Sequence, residues 1–212
     1  MSRELAAVVG VVVGYLLGAI PVGLFVGRLA GVADLRAYGS GKTGFTNALR
    51  SLGLRWAVLV MAGDIAKGAV AVLLCRLLVT NPWAAALAGA AAVLGHIFPV
   101  FAGWRGGRGV ATAFGAFLAV APAAALAVVL FSAVVLAVSR YASLMSVVGV
   151  FVGFVAVVAL VLTHNLAAEY LAFAVLTMLA VELSHVGNIR RLLAGTEPKL
   201  GRGGDRRPTA AH

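Results

Sequence analysis

Apolar runs close to 20 residues long recur along this chain, and no other feature limits its fold so tightly. A helix needs about 20 consecutive apolar residues to cross a hydrocarbon core of about 30 Å. Such segments fall at Leu5–Gly27, Trp56–Leu78, Ala84–Phe101, Val110–Ala121, Ala123–Val138, Leu144–Leu162 and Glu169–Ser184. The expected fold is all-α, a polytopic membrane helix bundle of about seven segments that fills residues 1–212 as a single domain. The short loops leave no room for a soluble catalytic domain. The first segment is too long for a signal-peptide core and has no basic leader beyond Arg3, so it reads as a span.

Composition agrees. The chain is 62% hydrophobic and 11% charged, against about 45–50% apolar and about 25% charged in soluble domains. The net charge of +10 raises nucleic acid as a partner. The cations, however, sit in short loops between apolar runs rather than in a stripe with interleaved aromatics, which argues against it. Cys75 is the only cysteine, which excludes an intrachain disulfide and a cysteine-based metal site.

The placement of cations sets the expected orientation. Loop Arg28–Arg55 carries 5 Lys and Arg residues, Ala102–Gly109 carries 2, the Arg140 turn 1 and the tail His185–His212 carries 6. The other side has Arg3 and Arg76, with Lys67 inside a span. The positive-inside rule then puts the N-terminus outside, the four basic segments in the cytoplasm, and residues 185–212 in a basic cytoplasmic tail. The fourth segment has 12 residues, about 18 Å of helix, and reads as a short span or a re-entrant arm.

Three cytoplasmic segments carry the candidate chemistry. In Tyr38–Arg50, Gly41-Lys42-Thr43 looks like the end of a Walker A loop. That motif needs a glycine where Arg36 stands and a preceding strand, so a nucleotide loop is rejected. Glycines still let backbone N–H groups converge on an anion, with Lys42, Thr43, Thr46 and Arg50 beside them; a plain basic loop would look similar. In Gly95–Thr112, Gly106, Gly107 and Gly109 flank Arg108 just before a helix start, which suits a phosphate. His96 stands in the last turns of the preceding apolar helix, where an ionisable group is costly and more often functional than structural. In His185–Lys199, His185 and Asn188 share a helical face if the last span continues, with Glu182 one turn earlier as a possible partner of His185. Arg190 and Arg191 also fit an anchor for anionic membrane lipid. Asp64 and Lys67 lie three apart inside a span, and either lock helices together or work. Arg140, Tyr141 and Ser143 form a polar turn on the same side.

At these segments the chain resembles the bacterial acyl-phosphate:glycerol-3-phosphate acyltransferase family. The matches are the Gly-Ser-Gly loop with its Thr-Asn and following Arg (Gly39–Arg50), the Gly-His-x-x-Pro run into Gly-Gly-Arg-Gly-Val-Ala-Thr (Gly95–Thr112), and His-x-x-Asn-Ile-x-Arg-Leu-x-x-Gly-x-Glu (His185–Glu197). Asp64-x-x-Lys67-Gly68 and Arg140-Tyr141-x-Ser143-Leu144 also match, in the expected order. Lys42, Phe45 and Arg108 stand where the family usually has Asn, Ala and Lys. The resemblance implies acyl transfer from acyl phosphate to the 1-position of glycerol-3-phosphate at the cytoplasmic face of a bacterial cell membrane, in phospholipid biosynthesis. It implies Arg108, His185 and Asn188 as catalytic. It implies Ser40, Gly41, Thr43, Thr46, Asn47, Arg50, His96, Gly106, Gly107 and Ser143 as substrate-binding. An enzyme that produces acyl phosphate is an implied partner. No cofactor and no metal are expected, because the carboxylates are scattered. The competing class, a carrier or channel for phosphorylated solutes, would explain the anion-binding loops, but no repeated halves are visible.

Overall fold

The structure is a computed structural model that describes residues 1–200. Its helices are α1 (Arg3–Gly18), α2 (Val22–Leu29), α3 (Phe45–Leu52), α4 (Leu54–Leu78), α5 (Pro82–Ile97), α6 (Val110–Val120), α7 (Pro122–Ser139), α8 (Ala142–Leu162) and α9 (Tyr170–Leu193). Short 3₁₀ turns lie at Leu35–Ala37 and Val100–Ala102. No strand occurs among the described residues. Six segments are long and apolar enough to cross a membrane, and α6 is a shorter apolar helix. The chain is thus an all-helical, multi-pass membrane protein.

The first expected span is two helices rather than one. Pro21 has no N–H to continue the ladder, so α1 ends at Gly18 and α2 restarts at Val22. The break takes the Ile20 carbonyl out of the helical ladder, where it accepts from the Val22 N–H at 3.0 Å. Lys67 of α4 donates to that carbonyl at 3.0 Å.

Small residues bring the helices together. Gly10, Gly14 and Gly18 form a stripe on α1, and a Cβ at each would run into the backbone of Ala84, Ala88 and Ala92 on α5. The register advances in the same sense on both helices, so they are parallel, in the small-xxx-small contact common in membranes. Gly14→Leu is expected to force α1 off α5 and destabilise the protein by at least about 1–3 kcal/mol. Val12→Leu on the exposed face is expected to leave the thermal midpoint in detergent unchanged.

The fourth segment resolves in the same way. Gly68 of α4 packs against Thr112, Gly115 of α6 packs against Ile65, and Arg76 near the end of α4 donates to the Ala119 carbonyl at 2.6 Å. Helix α6 therefore runs parallel to α4 and reaches the end of the bundle where α4 finishes. It is a short through-running helix, not an arm that returns to its starting side, and α7 then runs back. The Arg28–Arg55 loop, the 98–109 loop, the Arg140 turn and the end of α9 consequently gather at one end of the bundle.

The last span corrects a boundary. The sequence places a tail from His185 onward, but α9 continues to Leu193. Arg190 and Arg191 in its last turn complement the helix dipole. Gly195, at φ +69°, adopts the left-handed conformation that ends a helix. Residues 201–212 of the expected tail lie outside the described residues.

Candidate active site

Three loops meet at this end, and each is built around side chains that hold backbone. In the first loop the Asn47 amide is fully used. Its oxygen accepts from the Ser40 N–H at 2.8 Å, while its nitrogen donates to the Leu35 and Lys42 carbonyls at 3.1 and 2.7 Å. Gly39 (φ +56°) lies directly against the Asn47 oxygen, where a Cβ would not fit. Asn47, expected from the sequence to contact substrate, is buried within the loop and bonds its backbone. A buried amide inside a turn must satisfy its polar atoms locally, so Asn47 shapes the loop. Ser40 is exposed at the loop's tip, Gly41 has φ +69°, and Thr43 is buried with its carbonyl against Gly23 of α2. Thr46 and Arg50 lie on α3, half-buried, and the Arg50 Nε is buried without a hydrogen-bond partner.

Arg36 ties the first loop to the second. Its guanidinium pairs with Asp34 at 2.8 Å and donates to the Ala102 and Arg105 carbonyls at 2.7 and 3.1 Å. The hydrogen bonds from Arg36 hold the Asp34 carboxyl below its ordinary pKa. In the sequence Arg36 counts only as the residue that breaks a Walker motif, because its partners are 66 and 69 positions away.

The second loop folds back on the end of α5. The Gly106 and Gly107 N–H groups donate to the Ile97 and His96 carbonyls, each at 3.2 Å. Gly109 (φ +86°) precedes α6 without a side-chain cap, so the first N–H groups of α6 are left for a ligand. Arg108 stands at that opening, half-buried, with its Nε buried and unpartnered. Burial pushes its pKa below the usual guanidinium value; Glu197 opposes this, while Arg191 and Arg50 add to it. Lys42, Arg105, Arg108, Arg50 and Arg191 thus form a cationic cluster with Glu197 as the nearby carboxylate.

His96 was expected to bind substrate. It is 5% exposed and packed against Gly107, with its Nδ1 3.3 Å from Asp64 Oδ1. Asp64 also meets Lys67 at 2.9 Å. The intramembrane pair is therefore one arrangement with His96, linking the helix break at Pro21 to the turn that carries Arg108. Asp64→Ala leaves Lys67 buried and unpaired, a loss of about 3–5 kcal/mol. Adding Lys67→Met is expected to restore most of the thermal midpoint.

The third segment lies on α9. His185 is 1% exposed, and its Nδ1 lies 2.8 Å from the Val181 carbonyl and 3.2 Å from Ser184 Oγ. A carbonyl only accepts, so Nδ1 carries the proton and Nε2 keeps the lone pair of the neutral ring. The single Ser184 hydroxyl hydrogen lies between the Val181 carbonyl at 2.7 Å and the Arg108 carbonyl at 3.1 Å, so Ser184 bridges the third segment to the second. Glu182 was expected as a partner of His185. The histidine's Nδ1 is satisfied by its own helix instead, and Glu182 Oε1 is buried without a partner.

Asn188 donates to Glu197 Oε1 at 2.7 Å, and Arg191 donates to Glu197 Oε2 at 2.8 Å. Although burial opposes it, the hydrogen bonds from Asn188 and Arg191 hold the Glu197 carboxyl below its ordinary pKa. The Leu200 N–H donates to the Arg140 carbonyl at 2.7 Å, closing this strap over the start of α8. Glu197 matters more here than the sequence suggests. Its nine-residue separation from Asn188 becomes a contact only because Gly195 turns the chain back.

The cationic, glycine-rich end of this multi-pass bundle thus brings a helix N-terminus together with a histidine and an asparagine. Residues 8–195 match the family model described as Glycerol-3-phosphate acyltransferase. The chain is 45% identical to a glycerol-3-phosphate acyltransferase of Synechococcus sp. (strain CC9902) over 191 residues, covering 90% of this chain and 94% of the relative. It is 44% identical to glycerol-3-phosphate acyltransferase 3 of Dehalococcoides mccartyi, with the same coverage. A crystal structure of PlsY (YgiH), an integral membrane glycerol 3-phosphate acyltransferase, in its glycerol 3-phosphate form superposes with a TM-score of 0.83 at 37% identity, covering 92% of this chain and 96% of that one. Its lysophosphatidic acid form gives 0.81 at 35% identity, covering 92% and 95%. This chain belongs to the glycerol-3-phosphate acyltransferase family.

Proposed function

We propose that this protein transfers a fatty acyl group from acyl phosphate to the 1-hydroxyl of glycerol-3-phosphate, releasing lysophosphatidic acid and inorganic phosphate. The observation that carries the reading is Arg108, whose buried, unpartnered Nε stands at an uncapped helix N-terminus and whose carbonyl is tied to the His185 turn through Ser184. Two phosphorylated substrates need two sets of anion donors. Arg108 and the start of α6 suit the acyl phosphate head, with Gly106 and Gly107, whose N–H groups bond the end of α5, shaping the turn beneath it, while Ser40, Thr43, Thr46 and Arg50, around the Gly41 turn, suit glycerol-3-phosphate. Acyl phosphate already carries a good leaving group, so the enzyme mainly positions the substrates and stabilises charge. The hydroxyl oxygen attacks the acyl carbon, the bond to phosphate breaks, and the hydroxyl proton leaves for a nearby acceptor. His185 Nε2 accepts the hydrogen bond that aims this hydroxyl. Asn188, oriented by Glu197, holds its neighbour oxygen.

Among the described residues, 11 cations at this end against 2 at the other support a cytoplasmic site in a bacterial cell membrane, with the N-terminus outside. An enzyme that makes acyl phosphate is then the natural supplier, and the surrounding lipid the natural sink for product. The donor is tested with purified protein offered acyl phosphate, acyl-coenzyme A or acyl-carrier protein. Acyl phosphate is expected to be the efficient donor; equal turnover with acyl-coenzyme A would contradict the proposal.

A further inference from the structure

His96, in the last turn of α5, is held at both edges of its ring. Its Nδ1 lies 3.3 Å from Asp64 Oδ1, the same oxygen that meets Lys67 Nζ at 2.9 Å. Lys67 in turn donates to the Ile20 carbonyl at 3.0 Å. At the opposite edge, a Cβ on Gly107 would run into Nε2, Cε1 and Cδ2 of the imidazole, so the ring lies directly against that residue. Tying α4 to the break between α1 and α2 needs only Asp64 and Lys67, which pair with each other while Lys67 reaches Ile20. A third ionisable group beside them costs desolvation and adds nothing to that tie. What His96 adds is its far edge, and that edge is the surface on which the Arg108 turn rests.

The turn needs such a support. Gly106, Gly107 and Gly109 give the backbone around Arg108 wide freedom, and glycine loses more conformational entropy on being fixed than any other residue. The Gly106 and Gly107 N–H groups hold the start of the turn through the Ile97 and His96 carbonyls, each at 3.2 Å. The imidazole then fills the space beneath Gly107, the neighbour of Arg108 in the chain. We propose that His96 is a positioning residue: its ring, fixed by Asp64 and Lys67, sets the height and tilt of the Gly107–Arg108 turn and so aims the Arg108 guanidinium at the phosphate of the acyl donor. The inference rests on the acyl-phosphate reading of Arg108 above and adds what keeps that guanidinium in place. It also gives the intramembrane ion pair a part in the reaction, as the anchor of the histidine.

The test is a double-mutant cycle on the purified protein: steady-state acyl transfer by wild type, His96→Ala, Arg108→Ala and the double variant, with a thermal midpoint for each. His96→Ala is expected to lower kcat/KM for acyl phosphate about tenfold or more, within the loss that a misplacement of about 1 Å brings. The KM for glycerol-3-phosphate is expected to stay as in wild type. In the Arg108→Ala background the same change is expected to cost less than about twofold, because the group it positions is gone. His96→Gln carries its amide to the ring edge beside Gly107 and is expected to recover most of the loss; if His96→Ala does not fold, the cycle with His96→Gln decides. Losses that multiply in the double variant would overturn the proposal and put His96 on substrate directly. A lowered thermal midpoint with unchanged kcat and KM would overturn it too, leaving a helix lock. Wild type inert with acyl phosphate, or Arg108→Ala fully active, would overturn the reading of the site together with the proposal.

Discussion

Arg108→Ala is expected to lower kcat/KM for glycerol-3-phosphate acylation at least tenfold. A charge-assisted hydrogen bond contributes about 1.5–3 kcal/mol, and each 1.4 kcal/mol is about tenfold in rate. If Arg108 also meets charge that grows on the departing phosphate, the loss approaches the about 10²–10³-fold seen when an oxyanion donor is removed. Arg108→Lys restores the residue usual in the resembling family and is expected to keep most activity, because it retains the charge while losing the planar fork. The packing around Arg108 supports a clean measurement. Its carbonyl, not its side chain, makes the contact with Ser184, so truncation leaves the link between the loops in place. Steady-state kinetics with each substrate varied in turn separates the two sources of loss. A fall in kcat marks charge stabilisation, and a rise in KM for one substrate marks simple binding.

His185→Asn is expected to lower kcat about 10–100-fold, the range of one lost or weakened hydrogen bond to a reacting group. A general base would contribute up to about 10⁴-fold. The activated donor asks little of a base, and the substrate's own phosphate is available to take the proton. On this account the acidic limb of the kcat–pH profile survives in His185→Asn. Loss of that limb together with a fall above a thousandfold would identify His185 as the base. The anchoring of Nδ1 by Val181 and Ser184 makes the comparison fair, since Nε2 is the one ring nitrogen left to face a ligand.

Much of the fold was legible because bilayer length and apolar runs specify helices almost independently of tertiary context. The gathering of the three polar segments at one end was legible from cations and parity. The boundaries were harder. Hydropathy averages over Pro21 and so merges α1 and α2, and it ended α9 at Ser184 because polar residues on a buried helical face resemble a loop. Arg108 and Arg50, both named from the sequence, each have a buried Nε without a hydrogen-bond partner. What the sequence could not supply were long-range partners. Arg36 acts on carbonyls of the second loop, His96 reaches Asp64 across 32 positions, and Glu197 finds Asn188 through a turn. The loop contacts of Asn47 were hidden for the same reason. An Asn in a glycine loop looks equally suited to a ligand or to the loop's own backbone, and here the backbone takes both ends of its amide.

The most direct test of the whole account measures phosphate release by the purified full-length protein in detergent, with acyl phosphate and glycerol-3-phosphate supplied separately and together. The account predicts phosphate release only when both are present, matched one to one by lysophosphatidic acid. Phosphate release from acyl phosphate at the same rate without glycerol-3-phosphate, or lysophosphatidic acid formed without phosphate release, would contradict it.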